Sequence, residues 1–328
     1  MIIDTHSHHV PEAMLDDLVS GRASFPSVEL LAEDGKYRLA FAGGTPTRPV
    51  MPGLRNVEPR LGWMAEQAVD FQVCAGWLDS FGYSIPAEEG LAWSRFVNEH
   101  LSRAAGENAG FVPLATVPLQ DGETAARALQ EAIGQGFSGA MIGTQPKGGS
   151  GKLDDAELDP FWQAASDLGA VLYLHPMFGS DDERLHDFGM MNAVGRVTDE
   201  TIAAARLLYA GHMFRFPGMK LILSLGGAAL PYVLGRVCKN YEDDDTLVYD
   251  PREGLKRMYF DSIVYDPPAL RYLIDLVGAE RVVLGSDYPF SIGDLEPSRV
   301  VRAAKLDDAD TQAILGGTAA RLFGVGSA

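Results

Sequence analysis

Cysteine and positive charge are scarce in this sequence. Its 328 residues contain two cysteines, Cys74 and Cys238, which is too few for a disulfide-stapled secreted scaffold, so we expect a cytoplasmic protein. The 27 lysines and arginines face 45 acidic residues, and the formal net charge is −18. Because phosphate backbones and anionic lipid headgroups repel such a surface, we expect neither a nucleic acid nor a membrane as a partner.

Long apolar runs are also missing. No uninterrupted stretch approaches the roughly 18 to 20 residues of a membrane span, and residues 1–6 read as a strand rather than as a basic segment before an apolar one, so we expect no signal peptide. The composition, with 46% hydrophobic and 22% charged residues, is that of an ordinary globular protein. The length suits two average domains or a single α/β barrel.

Short aliphatic or β-branched runs alternate with longer segments of helical period. The eight predicted strands are Ile2–His6, Phe71–Gly76, Phe111–Val117, Gly139–Ile142, Val171–His175, Lys220–Ser224, Met258–Ile263 and Arg281–Gly285. Such alternation favours parallel strands joined by crossover helices, and eight units predict a (β/α)8 TIM barrel that spans residues 1–328 as one domain. The segment Val10–Arg60 is rich in glycine and proline and has no clear period, so we expect an insertion after the first strand that covers one end of the barrel.

Three histidines and an aspartate stand at or near predicted strand ends. His6 and His8 are two residues apart, so both side chains project to one face and can bind one metal ion together, whereas His9 points the other way. His175 and Asp287 each close an apolar run. Taken alone, His175 could be a hydrogen-bonded core histidine and Asp287 an Asx turn. Because the carboxyl ends of barrel strands meet at one face, the four residues together favour a divalent metal site.

The chain from His6 to Gly324 resembles the amidohydrolase superfamily, within it the aminocarboxymuconate-semialdehyde decarboxylase branch. Besides the four candidate ligands, the segments that carry the resemblance are Val112–Gln120, Gly136–Gly143, Leu158–His175, Glu200–Pro231 and Ile314–Gly324. The resemblance implies a TIM barrel, a homodimer and one metal ion, usually zinc, held by the four residues; manganese and cobalt stay open. The fourth strand ends in Ile142-Gly143, without the bridging lysine or glutamate of two-metal members, which agrees with a single ion.

One position departs from the resembled family. The sixth strand there ends in a histidine that handles a proton near the metal, and Leu225 occupies its place here. Leucine cannot donate, accept or orient a water, although it can line the substrate site. The candidate replacements are Asp287 acting as a base, His186 in the loop after the fifth strand, and Tyr265 after the seventh; we do not expect His212 to substitute. His186 and Tyr265 could instead be a solvated histidine and a packing tyrosine.

Further residues could bind the substrate. In the resembled family an arginine at the place of Arg236 reaches across a dimer interface to the substrate's carboxylate, a task for which a guanidinium is well shaped; the alternative is a helix-surface arginine. Trp77, Phe81 and Tyr83 follow the second strand and could form an apolar wall for a planar substrate, or they could simply pack in the core.

Three functions remain open on the sequence alone. The first is a non-oxidative decarboxylase of an aromatic or dienyl carboxylic acid, which the resemblance implies and Leu225 weakens. The second is a hydrolase or hydratase that uses metal-bound hydroxide with Asp287 as base. The third is a catalytically weak metal-binding protein, favoured only by the loss of the sixth-strand histidine.

Overall fold

The computed structural model describes residues 1–177 and 182–326. Its strands are β1 (Ile3–His9), β2 (Val28–Glu33), β3 (Lys36–Phe41), β4 (Phe71–Gly76), β5 (Phe111–Leu114), β6 (Gly139–Gly143), β7 (Val171–His175), β8 (Lys220–Leu223), β9 (Tyr259–Asp261) and β10 (Val282–Val283). Its helices are α1 (Glu12–Val19), α2 (Pro52–Arg55), α3 (Val57–Glu66), α4 (Ala87–Glu107), α5 (Gly122–Gly134), α6 (Asp159–Leu168), α7 (Arg196–Tyr209), α8 (His212–Arg215), α9 (Leu230–Glu242), α10 (Pro251–Leu255), α11 (Pro267–Val277), α12 (Pro297–Ala303), α13 (Asp308–Gln312) and α14 (Thr318–Phe323). None of these helices is both long and apolar enough to cross a membrane.

Eight of the strands run parallel and form a ring. Strands β1, β4 and β5 pair in one sheet and β6 to β10 in a second. The two sheets are joined on both sides: the amide of Ala115, after β5, donates to the carbonyl of Gly139 at 3.0 Å, and the amide of Thr5 in β1 donates to the carbonyl of Leu284 at 2.8 Å. The predicted α/β barrel architecture is confirmed.

Six of the eight predicted strands have different bounds in the structure, and for β6, β8 and β9 the difference is one or two residues at an end. The first continues to His9 instead of ending at His6, because His8 and His9 stay paired with β4. The third ends at Leu114, since beyond it only Ala115 makes a bridge to the neighbouring strand. The last is reduced to β10, because the chain after Val283 turns toward β1 rather than continuing along β9.

Each crossover helix packs an apolar face against the ring of strands. Helix α5 shows how the sequence achieves this: Asp121 caps its start by accepting from the amide of Thr124 at 2.9 Å, and Ala125, Leu129 and Ala132, spaced at helical period, are buried. The rigid outer layer holds the strand ends in place, and the chain segments that follow those ends form the face described below.

The segment after β1 contains its own small elements. Strands β2 and β3 form an antiparallel hairpin whose turn is made by Asp34 and Gly35, both with positive φ as a two-residue hairpin turn requires. Leu54 of α2 accepts hydrogen bonds from the amide of Val10 and from Nδ1 of His9. These contacts fix the segment beside the carboxyl end of β1, and Arg48 of the same segment lines a cavity at the carboxyl ends of the strands.

Candidate active site

The three histidines present one ring nitrogen each toward a common point. Nδ1 of His6 donates to Oδ2 of Asp261 at 2.9 Å, Nδ1 of His8 to the carbonyl of Gly76 at 3.2 Å, and Nδ1 of His175 to the carbonyl of Pro176 at 2.9 Å. Because each Nδ1 carries the proton, each Nε2 keeps its lone pair for a metal ion.

Asp287 supplies the fourth group from a turn beyond β10. Its backbone has φ +57°, and its amide donates to the carbonyl of His6 at 2.8 Å, so the turn is hydrogen-bonded directly to the strand that carries two of the histidines. Its Oδ1 lies 3.2 Å from Nε2 of His8 and 3.6 Å from Nε2 of His6. The carboxylate of Asp287 and the imidazoles of His6 and His8 therefore meet although they come from opposite ends of the chain.

These four residues fit a divalent metal ion. Their ligand atoms all lie within 4.8 Å of one another. Nε2 of His6, Nε2 of His8 and Oδ1 of Asp287 are buried and have no hydrogen-bond partner in the structure, which would be costly unless another group satisfied them. A cation bound between three imidazoles and a carboxylate satisfies all of them at once.

The electrostatics of the cluster agree with this arrangement. Burial disfavours the charged form of His8 and lowers its pKa. Burial also lowers the pKa of His175, and the nearby imidazoles of His8 and His6 lower it further, so that it lies well below its usual range. Burial would raise the pKa of Asp287, but the contact of its carboxylate with His8 and the charge of His6 outweigh that and lower it. For His8, His175 and Asp287 these shifts favour neutral imidazole beside an ionised carboxylate, the protonation state that a metal ion requires. Burial would also lower the pKa of His6, but its hydrogen bond to Asp261 and the charge of Asp287 outweigh burial and raise it.

Asp261, at the end of β9, holds this cluster together from behind. It is fully buried, and its Oδ2 accepts from Nδ1 of His6 and, at 3.0 Å, from the hydroxyl of Tyr173. Its Oδ1 accepts from the amides of Gly226 at 2.8 Å and Ile263 at 3.1 Å. A single carboxylate thus fixes both the orientation of a candidate ligand and the turn that follows β8.

A second buried network supports β1 from the opposite side. Arg60 of α3 donates to the carbonyl of His8 and to Oε1 of Gln72, and the amide nitrogen of Gln72 donates to the buried carboxyl of Asp4 at 2.8 Å. The guanidinium also lies over the ring of Tyr288, 4.7 Å from its centre. Through these bonds helix α3 holds the histidine-bearing strand and the turn after Asp287 in register.

A cavity of about 710 Å³ opens at the carboxyl ends of the strands. His175 and Asp287 form part of its wall, and segments after β8, β9 and β10 contribute most of the rest. Its other lining residues are Arg48, Met51, Pro176, Asn192, Ala193, Arg196, Val197, Leu225, Ala228, Ile263, Val264, Tyr265, Ala269, Pro289, Phe290, Ser291 and Ile292. Among the described residues the wall is largely apolar, with two guanidinium groups and the ligand carboxylate as its charged groups.

Besides His175 and Asp287, two other residues singled out in the sequence lie on this wall. Leu225 begins a turn in which four successive residues, 225 to 228, have positive φ, and the turn directs both Leu225 and Ala228 into the cavity. Tyr265 also lines it, with its hydroxyl donating to the carbonyl of Ile292. The tyrosine hydroxyl is therefore engaged at the cavity rim.

The other substrate and proton-transfer candidates need correction. Trp77 and Tyr83 do not line the cavity; Trp77 is buried under the guanidinium of Arg48, and the Tyr83 hydroxyl accepts from the amide of Gly143 at 3.2 Å, so both belong to the core, as does Phe81. His186 follows a 3₁₀ turn, is exposed to solvent and does not line the cavity.

Two more residues lie away from the cavity. Arg236 is exposed on α9, outside the wall of this chain's own cavity. His212 is buried between the rings of Trp162 and Phe216, where it contacts none of the candidate ligands, as expected.

Gly143 explains why a bridging ligand is missing from the fourth barrel strand. A Cβ atom placed on it would lie 2.5 Å from Sδ of Met177 and 3.2 Å from the ring of Tyr83. The space that a lysine or glutamate would need is filled by these two side chains. The residues present at this strand end agree with a single ion.

Sequence reasoning missed three residues of the site. Asp261 lies inside the predicted strand Met258–Ile263, whereas β9 ends at Asp261 in the structure, so the strand-end rule would have found it only with the observed bounds. Arg48 lies in the segment without periodicity and Arg196 begins a helix. For these two the sequence carried no directional signal, because only the tertiary fold turns them toward the cavity.

Comparison with known proteins shows the family of this chain. Residues 3–325 match the amidohydrolase family model over almost the whole chain. The chain belongs to the amidohydrolase family. The resemblance drawn from the sequence is thereby confirmed.

Two curated relatives of this amidohydrolase differ in reaction type. The 2-amino-3-carboxymuconate-6-semialdehyde decarboxylase of Dictyostelium discoideum is 29% identical over 265 residues, covering 78% of this chain and 73% of the relative. The 2-keto-4-carboxy-3-hexenedioate hydratase of a Sphingobium strain is 24% identical over 255 residues, covering 71% and 72%.

Solved structures show the same fold. The 5-carboxyvanillate decarboxylase of Sphingomonas paucimobilis superposes on this amidohydrolase with a TM-score of 0.81 at 25% identity, covering 98% of both chains. A 5-carboxyvanillate decarboxylase of Novosphingobium aromaticivorans, solved with manganese and 4-hydroxy-3-methoxy-5-nitrobenzoic acid, superposes with a TM-score of 0.79 at 19% identity, covering 99% of this chain and 96% of that one.

Proposed function

We propose that this amidohydrolase is a metal-dependent enzyme that removes CO₂ non-oxidatively from an aromatic or dienyl carboxylic acid. The observation that carries the proposal is the position of the ligand cluster, which opens through His175 and Asp287 onto a largely apolar cavity of about 710 Å³. A planar acid could contact the metal site and pack its carbon skeleton in the same space. The decarboxylases among the relatives support the reaction type.

His6, His8, His175 and Asp287 would hold the ion, which would supply positive charge that draws electrons from a bound substrate oxygen. In the reaction the bond from the substrate carbon to its carboxylate breaks, CO₂ leaves, and the electron pair on that carbon takes up a proton. The side chain of Asp287 is 14% exposed at the cavity wall, so we assign to its carboxylate the transfer of this proton from water. Leu225 would contact the carbon skeleton.

The substrate's negative charge needs partners in the cavity. Arg48 is one such group: it pairs with Asp79 through two hydrogen bonds of 2.9 and 3.0 Å, which hold the guanidinium at the cavity edge. We propose in addition a homodimer in which Arg236 binds the carboxylate of a substrate in the partner's cavity. Its exposure on α9 supports this role, because a second subunit can approach it there.

We propose zinc as the ion, with manganese and cobalt as the alternatives that three imidazoles and a carboxylate also accept. The manganese bound to a structural neighbour supports the alternative. The two cysteines, Cys74 and Cys238, are both free, which supports a location in the reducing cytoplasm.

The first experiment is the metal content of tag-free protein purified without chelators, followed by CO₂ release from a panel of hydroxybenzoates and dienyl acids. We expect about one equivalent of metal and CO₂ release that His175→Ala abolishes. His212→Phe is the matched control, because it alters another buried histidine outside the cluster and should retain activity. Metal that is absent and not restored by added ions would overturn the proposal and leave a binding role.

A hydratase or hydrolase is the second candidate. Leu225 at the cavity wall favours it, since hydration needs fewer proton donors near the ion, and one relative is named a hydratase. Incorporation of ¹⁸O from labelled water into the product, without CO₂ release, would establish this reaction in place of decarboxylation. Product free of label would exclude it for that substrate.

A further inference from the structure

Arg196 brings a guanidinium close to the ligand cluster. It is the first residue of α7, it lines the cavity, and its Nη1 donates to the carbonyl of Pro176 at 3.4 Å. The same carbonyl accepts from Nδ1 of His175, so the guanidinium and a candidate metal ligand converge on one oxygen atom. Arg196 therefore lies one carbonyl away from the group that would face the metal.

The start of α7 is fixed on both sides. Asp199 accepts from the hydroxyl of Thr144 and from the amide of Met177, which join the helix to the ends of β6 and β7. Glu200, one turn after Arg196, is buried and accepts from the amide of Ser224 at 3.0 Å, which joins the helix to the end of β8. Because three strand ends hold this turn, the position of Arg196 on the wall is determined by the barrel.

The charge of Arg196 acts on the cluster. Burial lowers its pKa to about 10, partly offset by the carboxylate of Asp287, so the guanidinium stays protonated at neutral pH. In turn its charge contributes to the low pKa of Asp287. It cannot serve as a general acid at neutral pH, but a guanidinium can hold a carboxylate through two parallel hydrogen bonds.

We propose that Arg196 is a substrate-binding residue of this chain that holds an anionic oxygen of the substrate beside the metal centre, with Leu225 as an apolar wall for the adjoining carbon skeleton. The proposal rests on the proposed function for the identity of the cavity as the substrate site. If Arg196 has this role, the cavity binds a carboxylic acid more tightly than the uncharged amide of the same shape.

The test compares binding of an acid and of its amide. The probes are 2-hydroxybenzoate and benzene-1,3-dicarboxylate with their primary amides, titrated calorimetrically into metal-loaded protein. We expect the wild type to bind the acids at least tenfold more tightly than the amides. Arg196→Met should weaken binding of the acids about 10- to 100-fold and leave binding of the amides within about threefold, with Arg196→Lys intermediate.

Arg206→Met is the matched control. Arg206 lies on the same helix, but it pairs with Asp154 through two hydrogen bonds of 2.6 Å and does not line the cavity. Its variant should bind acids and amides as the wild type does, and both variants should keep one equivalent of metal. A structural role for Arg196 would weaken acid and amide alike, and this result would overturn the proposal.

Two further outcomes also count against it. Acid binding unchanged in Arg196→Met, or no preference of the wild type for either acid over its amide, would overturn the assignment. Failure of the proposed function is distinguishable, because it would appear as absence of CO₂ release while the charge preference and its loss in Arg196→Met persisted.

Discussion

Asp261→Asn is expected to weaken metal binding without touching a ligand. The amide has the size of the carboxylate but replaces one acceptor by a donor. If its NH₂ group faces His6, Nδ1 must become the acceptor, and the imidazole proton moves to Nε2, where it blocks the lone pair that the metal needs. If the amide is rotated, its NH₂ group faces the amides of Gly226 and Ile263, which are themselves donors.

The expected loss of metal affinity follows because both orientations of the introduced amide are unfavourable. Groups that orient a ligating histidine typically change metal affinity about 10- to 100-fold, which corresponds to about 1.4 to 2.7 kcal/mol. The assay is competition for zinc between metal-free protein and a chromophoric chelator at pH 7.5. Urea unfolding of the metal-free protein, measured in parallel, separates lost affinity from lost stability.

Tyr173→Phe is the control for this experiment. It removes the other hydrogen bond to the same carboxylate oxygen and leaves the bond to His6 in place. Its metal affinity should stay within about threefold of the wild type. If Asp261→Asn binds zinc as tightly as the wild type, the carboxylate does not set the tautomer of His6, and the reasoning is refuted.

Three further substitutions test other parts of the structure. Burial lowers the pKa of His212 to about 4 from 6.5, so the unfolded chain takes up this proton first as the pH falls and the folded state loses stability between about pH 6.5 and 4. His212→Phe should therefore gain about 2 kcal/mol over the wild type in unfolding free energy between pH 7.5 and pH 5, and an equal difference at both pH values would contradict this. Gly143→Ala should cost about 1 to 3 kcal/mol in urea unfolding, because its Cβ meets Met177. Arg60→Met should cost about 3 kcal/mol, since it leaves Gln72 and the carbonyl of His8 buried without their donor, and stability within about 0.5 kcal/mol of the wild type would show that water replaces the guanidinium.

The candidate ligands could be predicted because their positions follow from local rules. His6 and His8 share a face through strand alternation, and His175 and Asp287 stand where the ends of parallel strands converge. Barrel architecture follows from the same alternation of strands and helices. These features depend on short-range pattern, which the sequence displays directly.

The cavity wall could not be predicted in the same way. Trp77 and Tyr83 follow a strand just as the ligands do, but the segment that carries Arg48 covers Trp77, and Gly143 engages the hydroxyl of Tyr83. Arg196 faces the cavity because three strand ends position its helix, which is a property of the assembled barrel. Outside regular strands, tertiary contacts decide which way a side chain points. Such contacts produce no periodic pattern in the sequence from which the direction could be predicted.

The place where the ring of strands closes has a consequence for folding. His6 and His8 belong to the first strand and Asp287 to the turn after the last, so the cluster is complete only when the two ends of the chain have met. An ion bound there would link the two sides of a seam that backbone hydrogen bonds also hold, together with side-chain bonds such as that from the hydroxyl of Ser286 to the carboxyl of Asp4 at 2.6 Å. A chain still emerging from the ribosome cannot retain the metal at this site, and loss of the ion from the finished protein would first loosen this seam, so that resistance to proteases would depend on metal loading.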